Sequence, residues 1–115
     1  MKLQWESHRS GTVVQIAGEL VSDDVDVLRR RCEEQMTSGI RLIADLRECE
    51  RVDSAGLEAL LWMNDHVQGF GGHFRLVLGG GQPAAAVEVT RLNRRVPVHN
   101  TLESAAKSFA KGQVA

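Results

Sequence analysis

"RVDSAGLEALL", residues 51–61, sets an acid (Asp53), a hydroxyl (Ser54), a small residue (Ala55) and a glycine (Gly56) directly before a leucine-rich run. Leu57, Leu60, Leu61 and Val67 recur at helical spacing, which predicts a helix that starts near Ser54 and buries this face. At such a start the first backbone N–H groups have no intrahelical partner. A serine there has two uses. Its hydroxyl accepts from a free N–H as an ordinary cap, or it carries a phosphate that meets the same donors and the positive end of the helix dipole. Gly56, with no side chain, leaves room for a partner to approach. Spacing by itself leaves both uses open.

Upstream, "RLIADL" (41–46) is short and apolar enough for a strand buried on both faces. "RECERVD" (47–53) is expected to be the loop joining it to the helix. Alternation in "KLQWE" (2–6) and "TVVQIAG" (12–18) predicts two strands joined through "SHRSG". A helix follows, with Ser22 as N-cap, Val25, Leu28, Cys32 and Met36 on one face, and Gly39 as its left-handed stop. Downstream, Gly69, Gly71 and Gly72 end the Ser54 helix, and "HFRLVL" (73–78) reads as a strand. "GGGQ" (79–82) reads as a flexible turn, and Pro83 opens a third helix, "PAAAVEVTRLNRR" (83–95). "VPVH" (96–99) is a short edge strand, because Pro97 cannot donate to a central ladder. The last helix, within "NTLESAAKSFAK" (100–111), has Asn100 and Glu103 at capping-box spacing, with Leu102, Ala105, Ala106 and Phe109 on one stripe.

The order ββαβαβαβα predicts an α/β fold. It implies a single domain over residues 1–115, with a mixed central sheet of four to five strands and about four helices mainly on one side. A chain of 115 residues buries enough surface to fold without a metal or disulfide staple. Fourteen basic and 15 acidic residues leave a formal net charge of -1, which gives no field to concentrate on nucleic acid or an anionic membrane. Cys32 and Cys49 form no C-x-x-C pair and are expected to be small buried hydrophobes. "MKLQWESHRS" lacks an apolar signal core, and no run is long enough to span a bilayer, so a cytoplasmic location without direct membrane insertion is expected. His8, His66, His73 and His99 share no metal-ligand spacing, and no cofactor is called for.

Two short motifs in this order carry a resemblance. "LIADLRECERVDSAGLEALL" resembles the core of STAS domains, the family of bacterial anti-sigma-factor antagonists: a strand ending in Asp-Leu, a short loop, then Asp-Ser-(Ser or Thr)-Gly-Leu at a helix start. The pattern falls on Asp45, Leu46, Asp53, Ser54, Gly56 and Leu57, and "GEL" at Gly18, Glu19 and Leu20 matches the family's Gly-Glu-Leu-Asp element. Val21 stands where the family commonly has Asp, and Ala55 where it has a second Ser or Thr. The resemblance implies a STAS-like fold and a phosphorylation site at Ser54. It implies a partner of the anti-sigma-factor serine-kinase type, whose complex the added charge breaks. Glu19, Val21, Ser22, Asp53, Ala55, Gly56, Leu57, Glu58 and Trp62 are then the expected partner-binding residues. No chemistry is done by the protein itself.

A second branch of the family implies a different partner, the ATPase subunit of a phospholipid-transporting ABC system, docked through the helix after the Asp-Ser corner. Ala55, Ala59, Trp62, Met63 and His66 lie along one stripe of that helix, and the tryptophan is either packing or a docking anchor. A hydrolase would need Ser54 as nucleophile with His66 or His99 as base, but no G-x-S-x-G elbow is present. "GGGQP" lacks the Lys-Ser/Thr of a phosphate loop. "RLNRR", the one basic cluster, is expected to be a solvated helix end.

Overall fold

The ten-residue strand β2 (Gly11–Leu20) organises the molecule, because it pairs with three neighbours along its length. β1 (Lys2–His8) runs antiparallel to it through a tight hairpin that sets Leu3 opposite Ile16 and Trp5 opposite Val14. Those cross-strand pairs put the apolar half of each alternation on one face. β3 (Arg41–Asp45) lies parallel to the first half of β2, followed across the sheet by β5 (His73–Val77) and β6 (Val98–His99), all parallel. The computed structural model describes residues 1–114, with side chains through residue 110, so Ala115, the last residue of the expected domain, lies outside the described residues.

Among the described residues the sheet has six strands, against four to five expected. The additional one is β4 (Cys49–Val52), inside the segment assigned to a loop. Only Cys49 and Val52 of this strand are buried, and the charged Glu50 and Arg51 between them are exposed. With two adjacent charged residues in its middle, this four-residue strand shows no apolar–polar alternation for the sequence to reveal. β4 pairs with the far end of β2 after a bulge between Gly18 and Glu19.

Helices α1 (Val25–Gln35), α2 (Ser54–Gly69) and α3 (Gly81–Val89) cover one face, where Val14, Ile16, Leu42, Ala44 and Leu76 meet Leu28, Cys32, Leu60, Met63 and Val87 in the main core. α4 (Leu102–Val114) covers part of the other face with Ala105 and Phe109 on Ile43 and Val77. β3 is therefore buried on both faces, as its unbroken apolar run predicts. Both cysteines are free and buried, and burial pushes the Cys32 thiol up to about 11.

Several helix boundaries differ from expectation. Ser22 caps nothing: Ser22–Asp24 form a 3-10 turn ahead of α1, and Met36 is already extended. Gly39 does adopt a left-handed φ of 74°, but four residues past the helix end. α3 stops at Val89, because Arg91 takes a left-handed φ of 59° and the chain turns into a 3-10 segment, Leu92–Arg94. That bend buries Leu92 and Val96 in the main core. The N-cap of α4 is Thr101 rather than Asn100, its Oγ1 accepting from the Ser104 N–H at 3.0 Å.

Candidate functional site

Capping at the start of α2 falls on Asp53. Its extended backbone places Oδ1 to accept the Gly56 N–H at 2.8 Å. The second carboxylate oxygen accepts the Ser22 N–H at 3.0 Å, 31 residues away in sequence. The Asp53 N–H in turn donates to the Leu20 carbonyl at 3.3 Å. One aspartate thus ties the end of β2 and the turn before α1 to the corner. These N–H donors hold its carboxyl below the ordinary value of 3.8, that of Gly56 most strongly.

Ser54 is the first residue of the helix and is exposed. Its hydroxyl is relieved of capping by the residue before it. Gly56 has a different reason from the expected one. It is buried, and a Cβ there would stand 2.3 Å from the Leu20 carbonyl oxygen and 2.8 Å from a Val52 methyl. The glycine lets the helix start sit down on the ends of β2 and β4; it does not open a path for a partner.

The corner is braced from below by two further devices. Asp45, buried at the end of β3, takes a bidentate grip from Arg47, Nε and Nη2 each at 2.9 Å, and accepts the Arg47 N–H at 3.1 Å. This folds the loop that leads into β4 and raises the Arg47 pKa, the hydrogen bond to Asp45 being the main cause. Gln82 completes the open edge of β4: its Oε1 accepts the Val52 N–H and its Nε2 donates to the Val52 carbonyl, both at 2.8 Å. "GGGQP" is therefore no flexible turn. It begins α3 and carries a side chain that stands in for a neighbouring strand immediately before Asp53.

A groove of ≈ 280 Å³ opens beside Ser54, floored by Leu57, Leu61 and Leu92 and rimmed by Glu58, Thr90 and Arg95. Leu57 and Leu61, expected in the core, are half-buried on this groove, while Gly56, Ala59, Leu60, Met63, Asn64 and Val67 form the buried face. The misplacement follows from counting leucines instead of the small residues that seat the helix. Arg95, dismissed with its basic neighbours as a solvated end, comes to the groove because of the left-handed bend at Arg91. No local sequence signal marks that turn.

The other expected contact residues divide. Glu19 is exposed near the corner, 3.6 Å from Arg51, and Val21 is half-buried at the 3-10 turn, beside the Ser22 that Asp53 holds. Ala55 is half-buried against the core, and Glu58 is exposed. The stripe through Trp62 breaks up, since Ala59 and Met63 are fully buried. Trp62 is half-buried two turns from Ser54, stacked on His66 at 4.4 Å and overlaid by the Arg29 guanidinium at 5.5 Å. Neither histidine considered as a base lines the Ser54 groove: His66 is stacked between Trp62 and Phe70, and His99 Nδ1 pairs with Ser104 Oγ at 2.7 Å. Among the described residues no group of three or more His, Cys, Asp or Glu is placed to hold a metal, and no helix is long and apolar enough to cross a membrane.

Comparison with solved structures finds the same fold repeatedly. An anti-sigma factor antagonist from Mycobacterium paratuberculosis superposes with a TM-score of 0.85 at 23% identity, covering 95% of this chain and 93% of its own. A putative anti-sigma factor antagonist from Thermotoga maritima gives 0.83 at 16% identity, covering 94% of both chains. The Bacillus cell fate determinant SpoIIAA, in its phosphorylated form, gives 0.60 at 17% identity over 99% of this chain and all of its own. No curated protein is significantly similar in sequence. The STAS domain model matches residues 2–105. With that match over nearly the whole chain and the Asp-Ser-Ala-Gly-Leu corner where β4 enters α2, the chain belongs to the STAS-domain family.

Proposed function

We propose that the protein is an interaction switch of the anti-sigma-factor-antagonist kind, binding a partner serine kinase of the anti-sigma type and controlled by phosphorylation of Ser54. The observation that carries this is the division of labour at the corner. Asp53 does the structural work of the helix start, and Ser54 is left exposed beside a groove with an apolar floor. The M. paratuberculosis and SpoIIAA neighbours support the same reading.

The physical consequence of a phosphate is specific. A phosphoserine at this position adds about -1.5 to -2 charge at a helix N-terminus, where the dipole favours it and the fold tolerates it. A partner surface shaped for a neutral hydroxyl, already facing Asp53 and Glu58, would be repelled. The protein acts as ligand and substrate in this scheme, and its own side chains catalyse nothing.

Incubation with the cognate kinase and ATP, followed by intact-mass and peptide analysis, tests the first half. Wild type gains one phosphate on Ser54 and Ser54→Ala gains none while still binding. Ser54→Asp stays folded and binds poorly. Phosphate on another residue, or full binding by Ser54→Asp, defeats the proposal.

A further inference from the structure

β1 is the outermost strand of the sheet beside β2, and among the described residues no strand pairs with its other edge. Alternate residues of this seven-residue strand, Lys2–His8, therefore present unpaired N–H and C=O groups at the open edge. Charged side chains on an edge usually guard it against pairing. Here the charges are arranged so that the strand complements itself.

Consider two copies of β1 set antiparallel across a two-fold axis through Gln4. Lys2 then faces Glu6 of the second copy, Leu3 faces Trp5, and Gln4 faces its own mate. Lys2, Gln4 and Glu6 are exposed and share one face of the strand. Leu3 and Trp5 share the other, half-buried against the main core. Opposite charges meet opposite charges and apolar meets apolar in the same register. An axis through Trp5 would instead set Leu3 against Ser7 and Glu6 against Gln4; one through Leu3 would set Met1 against Trp5 and Lys2 against Gln4. Only the Gln4 register of the three satisfies both faces.

On the helix side, the space between β1 and α1 is not filled. A concavity of ≈ 380 Å³ is lined by Met1, Leu3, Trp5 and Val27, with Arg31 and Glu34 at its rim. Val27 is 42% exposed. A two-fold axis perpendicular to the sheet brings two such concavities together on one side. Arg31 and Glu34 at that rim pair with each other within the chain at 3.8 Å and stay exposed.

We propose that β1 is a self-association edge, through which two copies of this chain form a dimer with one continuous antiparallel seam. Such a contact is isologous and closes on itself, so it stops at two copies. It does not depend on phosphorylation of Ser54.

Charge exchange tests it. By sedimentation velocity from micromolar to near-millimolar concentration, the wild-type chain is expected to show a reversible monomer–dimer equilibrium. Lys2→Glu puts two acid–acid contacts into the dimer and Glu6→Lys two base–base contacts. Each alone should weaken association by about tenfold or more, the equivalent of about 1.4 kcal/mol. An equimolar mixture of the two variants restores every opposite-charge contact and should recover the dimer. Recovery also shows that both variant chains are folded. A wild-type chain that stays monomeric throughout overturns the proposal, as does a dimer indifferent to either reversal, or a mixture of folded variants that fails to associate.

Discussion

Two helices of this domain start with a serine in the first turn, and the two starts are built differently. In α2, Asp53 caps the helix and Ser54 is left exposed at its first position. In α4, Thr101 caps the helix and Ser104 is spoken for, its hydroxyl 2.7 Å from His99 Nδ1. The α2 corner is also held from three sides, by Asp53 to Ser22, by Gln82 to Val52, and by Gly56 against Leu20. The side-chain hydrogen bonds at the α4 start are local, within five residues, and its long-range support is the apolar packing of Leu102 on the Ile43 and Val77 cluster. A serine whose surroundings are fixed by others, and which itself fixes nothing, is free to be modified without loss of the fold. On the function proposed above, this is what separates Ser54 as a switch from Thr101 as a cap.

The largest way to break the distinction is at Gly56. An alanine there drives its methyl into the Leu20 carbonyl, a backbone atom that cannot swing aside. Gly56→Ala should destabilise the domain by about 3 kcal/mol. Gly69→Ala, at the other end of the same helix, meets no atom within 4 Å and should be neutral or mildly stabilising. Denaturant unfolding of the two variants decides this; equal stabilities would mean that the helix start is not seated as described.

Gln82→Ala comes next. It strips both hydrogen bonds from the backbone of the buried Val52 and should cost about 2 kcal/mol, since unmade bonds at a covered site are expensive. Binding of a partner at the corner should weaken with it, because Asp53 follows Val52 directly. Ser54→Ala sits at the low end, within about 0.5 kcal/mol, the range of a surface change that breaks no cap. Thermal melts of all three rank them; a large loss for Ser54→Ala would return the hydroxyl to a structural role.

Much of this was legible beforehand, for reasons particular residues make plain. Alternation placed Leu3 and Trp5 with Val14 and Ile16, and the unbroken apolar run of β3 forecast burial on both faces. The Asp-Ser-Ala-Gly-Leu motif located the corner. What stayed hidden depends on contacts distant in sequence. Asp53 and Ser22 are 31 positions apart, and Gln82 reaches Val52 across 30. A charged edge strand such as β4 shows two apolar residues in four, too few to register. The left-handed residue at Arg91, which sends Arg95 to the groove, occurs at a residue type that rarely adopts it.

The smallest expected effects are in pH, and they carry the comparison to the two helix starts themselves. Asp53 has its folded-state pKa lowered by the Gly56 and Ser22 N–H groups. Its contribution to stability is complete above the ordinary value of 3.8 and is lost as pH falls through the lower folded value. His99, at the α4 start, is also lowered, first by burial and then by the nearby Arg75 charge. The folded state resists its protonation, so stability is full above 6.5 and declines as pH falls from there toward the folded value. The two windows do not begin together. A stability profile should therefore show a shallow decline starting near 6.5 that His99→Gln removes, and a separate acid decline that Asp53→Asn reduces. Because the Asp53 cap joins the β2 end to α2, only the second should be accompanied by faster hydrogen exchange at Gly56 and Ser22. If His99→Gln leaves the upper decline in place, the α4 start is not its source. If protonation of Asp53 leaves exchange at Ser22 unchanged, the carboxylate does not hold the two segments together.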